Sequence, residues 1–173
     1  MKINATFLLA GVIPLLASCA SQQPIVLAPV GPRPSVLPSS AAGTGQLQVF
    51  SCQVREGDDQ NQGGSGDSPF WYQHTDYNIY DAKAKLVKHV DNTVGHYATS
   101  PRLVSLPPGT YTVRAEAKGW LVVYVPVVIE RGRTTRVHLD ETWQPPTGTQ
   151  KTAVVSAPDG KPVGWSANLL SQQ

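Results

Sequence analysis

Apolar and polar residues alternate with a period of two along much of the chain between Gln46 and Glu141. The clearest run is Tyr111–Lys118, and shorter runs cover 135–139 and the stretch that begins at Gln46. Such alternation indicates strands with one buried face, because successive side chains of a strand point to opposite faces. Leu121–Ile129 is nearly all apolar and rich in β-branched residues, which predicts a central strand. We therefore expect an all-β fold.

Turn-forming residues separate these strands. Pro107-Pro108-Gly109, Lys118-Gly119 and Arg131-Gly132-Arg133 each mark a break. Pro126 lies within the central strand, and because proline cannot donate a hydrogen bond to a neighbouring strand, we expect a sheet edge or a bulge there. The best helical candidate, 81–90, lacks an apolar stripe. Several short strands between turns predict a β-sandwich.

Five stretches carry a particular order of motifs: Tyr77–Asp81, Leu103–Ala115, Gly119, Val125–Val127 and Gly132–Leu139. They contain a leucine, then Pro-Gly with a tyrosine and an alternating strand, then a glycine, then a Gly-x-Thr-Thr strand. This order resembles the carboxypeptidase-regulatory-like domains and the related PEGA-type repeats. The resemblance implies a Greek-key β-sandwich of the prealbumin (transthyretin-like) type. It carries no chemistry, because its glycines and prolines make turns and its apolar positions make core.

The N-terminus has the organisation of a secretory signal peptide. Lys2 precedes an apolar run, Ala5–Leu16, and small residues then lead to Cys19. The run is too short to span ~30 Å of hydrocarbon, which takes about 20 residues. Leu16-Ala17-Ser18-Cys19 resembles the lipobox of bacterial lipoproteins, which implies that 1–18 are removed and that Cys19 carries lipid, palmitate included. The alternative is an ordinary cleaved signal followed by an incidental cysteine.

The lipobox resemblance also implies a location. We expect the mature protein in the cell envelope, attached to the membrane through the lipid on Cys19. Residue 20 is alanine rather than aspartate, which resembles the outer-membrane destination if the cell is Gram-negative. The formal net charge of +2 falls to +1 when Lys2 is removed with the signal peptide. This balance gives no reason to expect nucleic acid or an acidic substrate as a partner.

Residues 19–45 are predicted to be a lipidated, disordered tether. Five prolines between Pro24 and Pro38 precede a Ser/Ala/Gly run. A proline-rich chain forms a semi-rigid spacer of ~3.1 Å per residue, so it would hold the folded domain tens of ångströms from the membrane. The sandwich itself is expected over 46–142. Cys52, left without a partner when Cys19 carries lipid, is expected to be buried or else paired between molecules.

Residues 143–173 are predicted to be a linker and a C-terminal hairpin. Thr152–Ser156 reads as a short strand, Pro158-Asp159-Gly160 as a turn and Pro162–Trp165 as a returning strand. A lone hairpin is marginally stable in water. It therefore either adds to an open sheet edge or forms a separate flap, and we expect it to pack on the main domain through Trp165 or Val155.

An aromatic run supplies the candidate binding residues. Phe70, Tyr72 and Tyr80 fall on one face of an extended chain, whereas Trp71 and Tyr77 fall on the other. One face belongs in the core. The second face would either be covered by the C-terminal segment or expose rings that suit a sugar or a partner protein. Arg131, Arg133 and Arg136 flank a turn, where they are either solvated charges or contacts to anionic polymers and head groups.

No motif predicts metal binding or catalysis. The acidic, glycine-rich loop 56–68 has oxygen ligands suited to calcium, but its spacing matches neither an EF-hand nor the complete calcium-binding nonapeptide, and a disordered loop is expected instead. The histidines lack the spacing of zinc ligands; they are His74, His89, His96 and His138. No serine lies in a Gly-x-Ser-x-Gly setting. Some prealbumin-fold relatives are hydrolases, but their C-terminal Tyr-Arg-Gly-Ser is absent.

These observations favour a non-catalytic module without a cofactor or a metal. The first hypothesis is an interaction or structural subunit that contacts another envelope protein by a sheet edge or the C-terminal hairpin. The second is a polysaccharide-binding module that uses the aromatic run 70–80. A hydrolase of the transthyretin-like type is the third and least favoured hypothesis.

Overall fold

The computed structural model describes residues 24–34, 43–55, 72–92, 100–119 and 121–168. Within them the chain is built of strands, with one turn of 3₁₀ helix at Lys151–Ala153. The all-β prediction is therefore confirmed. The strands are β1 (Ile25–Val26), β2 (Val30–Gly31), β3 (Gly45–Phe50), β4 (Gln53–Arg55), β5 (Tyr72–His74), β6 (Tyr77–Tyr80), β7 (Leu86–Val90), β8 (Leu103–Leu106), β9 (Gly109–Ala117), β10 (Leu121–Ile129), β11 (Thr134–His138), β12 (Val154–Ser156) and β13 (Pro162–Ser166).

Two sheets enclose one hydrophobic core. The large sheet has the order β12-β13-β2-β10-β9-β6-β7, and β1 also pairs with β10. The smaller sheet has the order β11-β3-β8, in which β11 and β3 run parallel. Strands β4 and β5 form a separate pair. Fully buried side chains from both sheets form a single cluster that includes Leu47, Val49, Val113, Val125 and Val137.

The predicted alternation matches the burial of the central hairpin. Strands β9 and β10 pair antiparallel over nine positions, from Leu121 opposite Ala117 to Ile129 opposite Gly109. The odd-numbered residues Val123 to Ile129 face the core, and the even-numbered ones face away from it. Gly119 closes this hairpin with a φ of +89°, a conformation that glycine adopts without strain.

The prediction of a sheet edge or a bulge at Pro126 is wrong. Strand β10 has neighbours on both sides, and its register with β9 is continuous through Pro126 opposite Thr112. The Leu27 N–H donates to the Tyr124 carbonyl (2.9 Å). Because alternate residues direct their backbone groups to the same side, Pro126 faces the break between β1 and β2. The neighbouring strand, rather than β10, is interrupted where proline offers no donor.

Residues 24–34 belong to the folded domain, so the predicted tether over 19–45 is wrong for this stretch. Strand β1 runs parallel to β10, with Ile25 opposite Val123, and in β2 Val30 lies opposite Val127. The Val30 side chain is fully buried. On the side of β10 away from β9, the backbone of this segment therefore pairs with β10, and its apolar side chains cover the core.

The C-terminal hairpin adds to the large sheet. Of the two predicted arrangements, addition to a sheet edge is therefore correct and a separate flap is not. Strand β13 pairs antiparallel with β2, with Trp165 opposite Gly31, and β12 pairs with β13. Gly164 makes this approach possible, because a Cβ there would lie 2.7 Å from Val30 Cγ1 and 2.8 Å from the Arg136 carbonyl oxygen. We call β1, β2, β12 and β13 together the terminal extension, and the remaining strands of the two sheets the two-sheet core.

Cys52 follows β3 and is buried, as predicted. Its thiol lies 3.7 Å from the Gln53 carbonyl oxygen. The predicted signal peptide, Cys19 and the loop 56–68 lie outside the described residues. In the described part of the chain, no helix is long and apolar enough to cross a membrane.

Candidate functional site

The structure divides the predicted aromatic run between the core and the surface. Tyr77 is only 1% exposed and packs with Ile79 in the core, so its ring is not available to a ligand. Burial raises the pKa of its hydroxyl well above the usual range. Tyr80 lies half-buried on the opposite face of β6. Tyr72 begins β5, and Phe70 and Trp71 lie outside the described residues.

Tyr80 borders an open cleft on the face of the large sheet that points away from the core. Strand pairing sets Tyr80 opposite Thr112 and Tyr124 opposite Arg114, so the two tyrosines flank the polar residues of β9. The cleft has a volume of about 360 Å³. We call it the tyrosine cleft; its lining residues are Tyr80, Asp81, Ala82, Ala84, Thr112, Arg114 and Tyr124.

A second groove lies where the terminal extension meets β11. It has a volume of about 170 Å³ and is assembled from three distant parts of the sequence: the exit of β2, strand β11, and the stretch from Trp143 to Trp165. We call it the tryptophan groove. Its lining residues are Arg33, Thr134, Arg136, His138, Trp143, Gln144, Pro146, Gly164 and Trp165.

A column of aromatic rings forms the wall of the tryptophan groove. His138 stacks between Phe50 and Trp143, with ring centroids 4.3 Å and 5.2 Å away and planes within 14° and 12° of parallel. Trp143 meets Trp165 edge-on, with centroids 5.8 Å apart. The Arg33 guanidinium carbon lies 5.8 Å from the centre of Trp165, within the range of a cation–π contact. These contacts fix both tryptophans before any ligand arrives.

The lining of the tryptophan groove is cationic. It contains Arg33 and Arg136 and no acidic residue. The Arg136 Nε donates to the Gln48 side-chain oxygen at 3.3 Å, and in the described part of the chain neither guanidinium forms an ion pair. Arg133, by contrast, pairs with Glu130. The predicted basic group is therefore split, and only Arg136 faces the groove.

His138 is 9% exposed and is neutral at pH 7. Burial is the main reason that its pKa falls to about 4; Asp140 opposes this shift, whereas Arg136 and His74 add to it. Its Nδ1 is buried and has no hydrogen-bond partner among the described residues. Neutral His138 therefore behaves as an aromatic element of the column.

An apolar cleft of about 140 Å³ lies between β1, the β9–β10 turn and the C-terminal hairpin. Its walls are mainly aliphatic and include Ile25, Leu121 and Val163. Charged side chains stand at its rim, where Glu141 contacts Lys118 at 3.2 Å and Lys161 at 3.5 Å.

His74 and His89 have local partners. His74 Nδ1 lies 2.8 Å from the Ser51 carbonyl oxygen, and His89 contacts Asn78 and Asp76. His96 lies outside the described residues. Across the residues that the structure describes, no three His, Cys, Asp or Glu side chains come together as a possible metal site.

Sequence reasoning missed the tryptophan groove. The predicted tether contains Arg33, and the predicted C-terminal linker begins at Trp143, so neither residue is expected at a site. The available signal was the pair Trp143 and Trp165 beside Gln144-Pro145-Pro146, since large aromatic rings outside a periodic strand need either a core or a partner.

No model of a known protein family matches the chain, and neither the curated proteins nor the solved structures contain a match.

Proposed function

We propose that this chain is a lipid-anchored protein of the cell envelope, a non-catalytic interaction module that binds another envelope protein at the tryptophan groove. The observation that carries this proposal is the joining of Trp143 and Trp165 with two arginines that lack acidic partners in the described structure. Tryptophan and arginine are the residue types most enriched at energetic hot spots of protein interfaces.

The way the groove is built supports a binding role. Its rings are held by stacking and by strand pairing on either side, so little side-chain entropy is lost when a partner docks. Trp165 belongs to the C-terminal hairpin, the element expected to contact a partner protein. Two fixed rings next to unpaired guanidinium groups offer both apolar contact and charge recognition.

The connections between the sheets support the Greek-key, prealbumin-type sandwich that the sequence resembles. Strands β6 and β7 form a hairpin in the large sheet, β8 crosses to the smaller sheet, and β9 returns beside β6. Crossings of this kind between two packed sheets characterise Greek-key sandwiches. The parallel pair of β3 and β11 joins the first and last strands of the two-sheet core.

Photo-crosslinking in cells tests the proposed function. A photoreactive residue replaces Gln144, an exposed residue of the groove, in the full lipoprotein; the matched control carries it at Gln150, which is exposed and outside the groove. We expect one discrete protein adduct from position 144, absent from position 150 and lost when Trp165 is replaced by alanine. Equal adducts at both positions, or none at 144, would contradict a protein partner in the groove.

The tyrosine cleft favours polysaccharide binding as the second candidate function. Tyr80 and Tyr124 offer ring faces beside Arg114 and Thr112, which suits stacking on a sugar ring and hydrogen bonding to its hydroxyls. Retention on immobilised envelope polysaccharides tests it, with Tyr80→Ala and Tyr124→Ala against the parent. Loss of retention with an unchanged melting temperature would favour this candidate, whereas unchanged retention would exclude the cleft.

A further inference from the structure

The folded domain begins very close to the residue proposed to carry lipid. Ile25 already pairs with Val123 in the large sheet. The six residue-to-residue steps from Cys19 to Ile25 span at most about 22 Å when the chain is fully extended. A flexible tether that extended to residue 45 would allow a wide gap between the domain and the bilayer. Because the folded domain already begins at β1, the gap is limited to the short stretch that precedes Ile25.

Exposed aliphatic side chains gather at the end of the large sheet where the chain enters. Val26 is 64% exposed, Leu121 51% and Val122 36%. Strand pairing sets Val26 and Val122 on the same face, because Val26 lies opposite Tyr124, two positions along β10 from Val122. Leu121 points to the other face and borders the apolar cleft at the same end of the sheet. Neighbouring exposed aliphatic residues on one end of a domain mark a contact surface.

The charges at this end balance one another. Lys118 and Lys161 are half-exposed or more, and both contact Glu141. The two lysines stand beside the apolar cleft together with Glu141 and Asp159. Lysines can lay their aliphatic stems on apolar surface while their ammonium groups remain at a polar boundary. A surface of this kind suits the head-group region of a bilayer without requiring a strong anionic charge.

We infer that this end of the domain, formed by Ile25–Val26 and Leu121–Val122, rests on the bilayer into which the lipid on Cys19 inserts. We call it the membrane end. The inference rests on the lipid anchor of the proposed function, and it adds the orientation of the domain and the residues in contact with lipid. The short reach from Cys19 and the exposed aliphatic side chains point to the same end independently.

This orientation leaves the tryptophan groove accessible. Trp165 lies opposite Gly31, and the preceding Val30 lies opposite Val127, six positions along β10 from Leu121. Six residues of a strand extend about 20 Å. Arg33 and Trp165 therefore lie well above the head groups, where a partner protein can approach them, whereas His138, which also lines the apolar cleft, marks the end of the groove nearer the membrane.

Fluorescence quenching by membrane-embedded spin labels tests the membrane end. The lipidated protein, with Cys52→Ala, is reconstituted in phosphatidylethanolamine–phosphatidylglycerol vesicles that contain a spin-labelled lipid. A fluorophore is attached at Val122→Cys or, as the control, at Pro108→Cys, an exposed residue beside the opposite end of the β9–β10 hairpin. We expect severalfold stronger quenching at position 122 than at 108. Equal quenching at the two positions of an anchored protein would overturn the inference.

A second pair of variants tests the side chains themselves. With the fluorophore at Val26→Cys, we expect Leu121→Asp to reduce quenching severalfold, because a carboxylate disfavours contact with lipid. Leu86→Asp is the control, since Leu86 is similarly exposed but lies in β7 at the other edge of the sheet. Equal quenching in the two variants would overturn the inference. Intact mass distinguishes failure of the anchor, because a chain without acyl groups on Cys19 would overturn both proposals.

Discussion

The two-sheet core and the terminal extension are both sealed by buried valines, but they differ in how the sequence encodes them. In the core, β9 and β10 are nine residues long, and alternate residues are buried from Val123 to Ile129 of β10 and at Val113 and Ala115 of β9. In the extension, β1 and β2 are two residues long and separated by Leu27–Pro29. The strands of the core are therefore recognisable from their own alternation of apolar and polar residues. The short strands of the extension form only because one side of β10 is left without a neighbouring strand, which they supply.

The two regions also differ in what they offer to a partner. The extension supplies Gly164 and Trp165 to the tryptophan groove, with Arg33 just after β2, and Ile25 and Val26 to the proposed membrane end. The core supplies the rigid wall behind both surfaces. Damage to the core should therefore unfold the whole domain, whereas damage to the extension should remove the binding surfaces at a smaller cost in stability.

The largest effect is expected from Gly45→Ala in the core. A Cβ at Gly45 would collide with the Glu130 carbonyl oxygen and lie 2.7 Å from Ile129 Cγ2. The carbonyl is backbone and cannot rotate away, so we expect a loss of about 3 kcal/mol in the free energy of unfolding, measured with urea. Gly43→Ala is the control, because nothing lies within 4 Å of its Cβ. Similar stabilities for both variants would show that β3 is not held against the 129–130 segment.

Val30→Ala tests whether the extension is docked on the core. The Val30 side chain is fully buried against β10 and β13, so its truncation should lower the free energy of unfolding by about 2 kcal/mol. Val26→Ala, a change at a 64% exposed valine of the same segment, should stay within about 0.5 kcal/mol of the parent. If the two variants melt together, residues 24–34 are a tether after all.

The long strands of the core and the short segment around Val30 also show which parts of the fold the sequence predicts. Alternation in β9, β10 and β11 predicted the all-β fold, because in those strands half-burial repeats often enough to be recognised. Val30 has no such pattern around it. Its neighbours Pro29 and Pro32 indicate a spacer. The segment becomes a strand only because it pairs with β10, which lies about a hundred residues further along the sequence.

The candidate site was less accessible to sequence reasoning than the fold. The separation of Tyr77 from Tyr80 followed from period two, and the structure places them on opposite faces of β6. The tryptophan groove depends on Arg33, Arg136 and Trp165 meeting across more than a hundred residues of sequence. No local rule predicts such a meeting, because it follows from the order of strands in the sheet.

Gly164→Ala should have a smaller effect than Gly45→Ala, although both add a Cβ to a filled space. The added Cβ meets Val30 Cγ1 and the Arg136 carbonyl oxygen. Because β12–β13 is the last pair of the sheet, we expect it to open before the rest of the domain unfolds and the loss in global stability to be only about 1 kcal/mol. Hydrogen exchange should nevertheless accelerate in β12 and β13, and the crosslink from position 144 should be lost. Uniform acceleration across β9 and β10 would contradict the separation into two regions.

The smallest effect is a pH dependence at His138, which lies where the core meets the groove. Its pKa falls from 6.5 to about 4 on folding, so as pH decreases the unfolded chain takes up the proton first. This part of the free energy of unfolding is fully present above pH 6.5 and is lost as pH falls toward 4. His138→Phe keeps a ring between Phe50 and Trp143 but removes the proton uptake, so its stability should fall less over this range. A parent-like slope in His138→Phe would mean that water reaches this ring in the folded protein, and the column would then not be the closed wall that separates the tryptophan groove from the core.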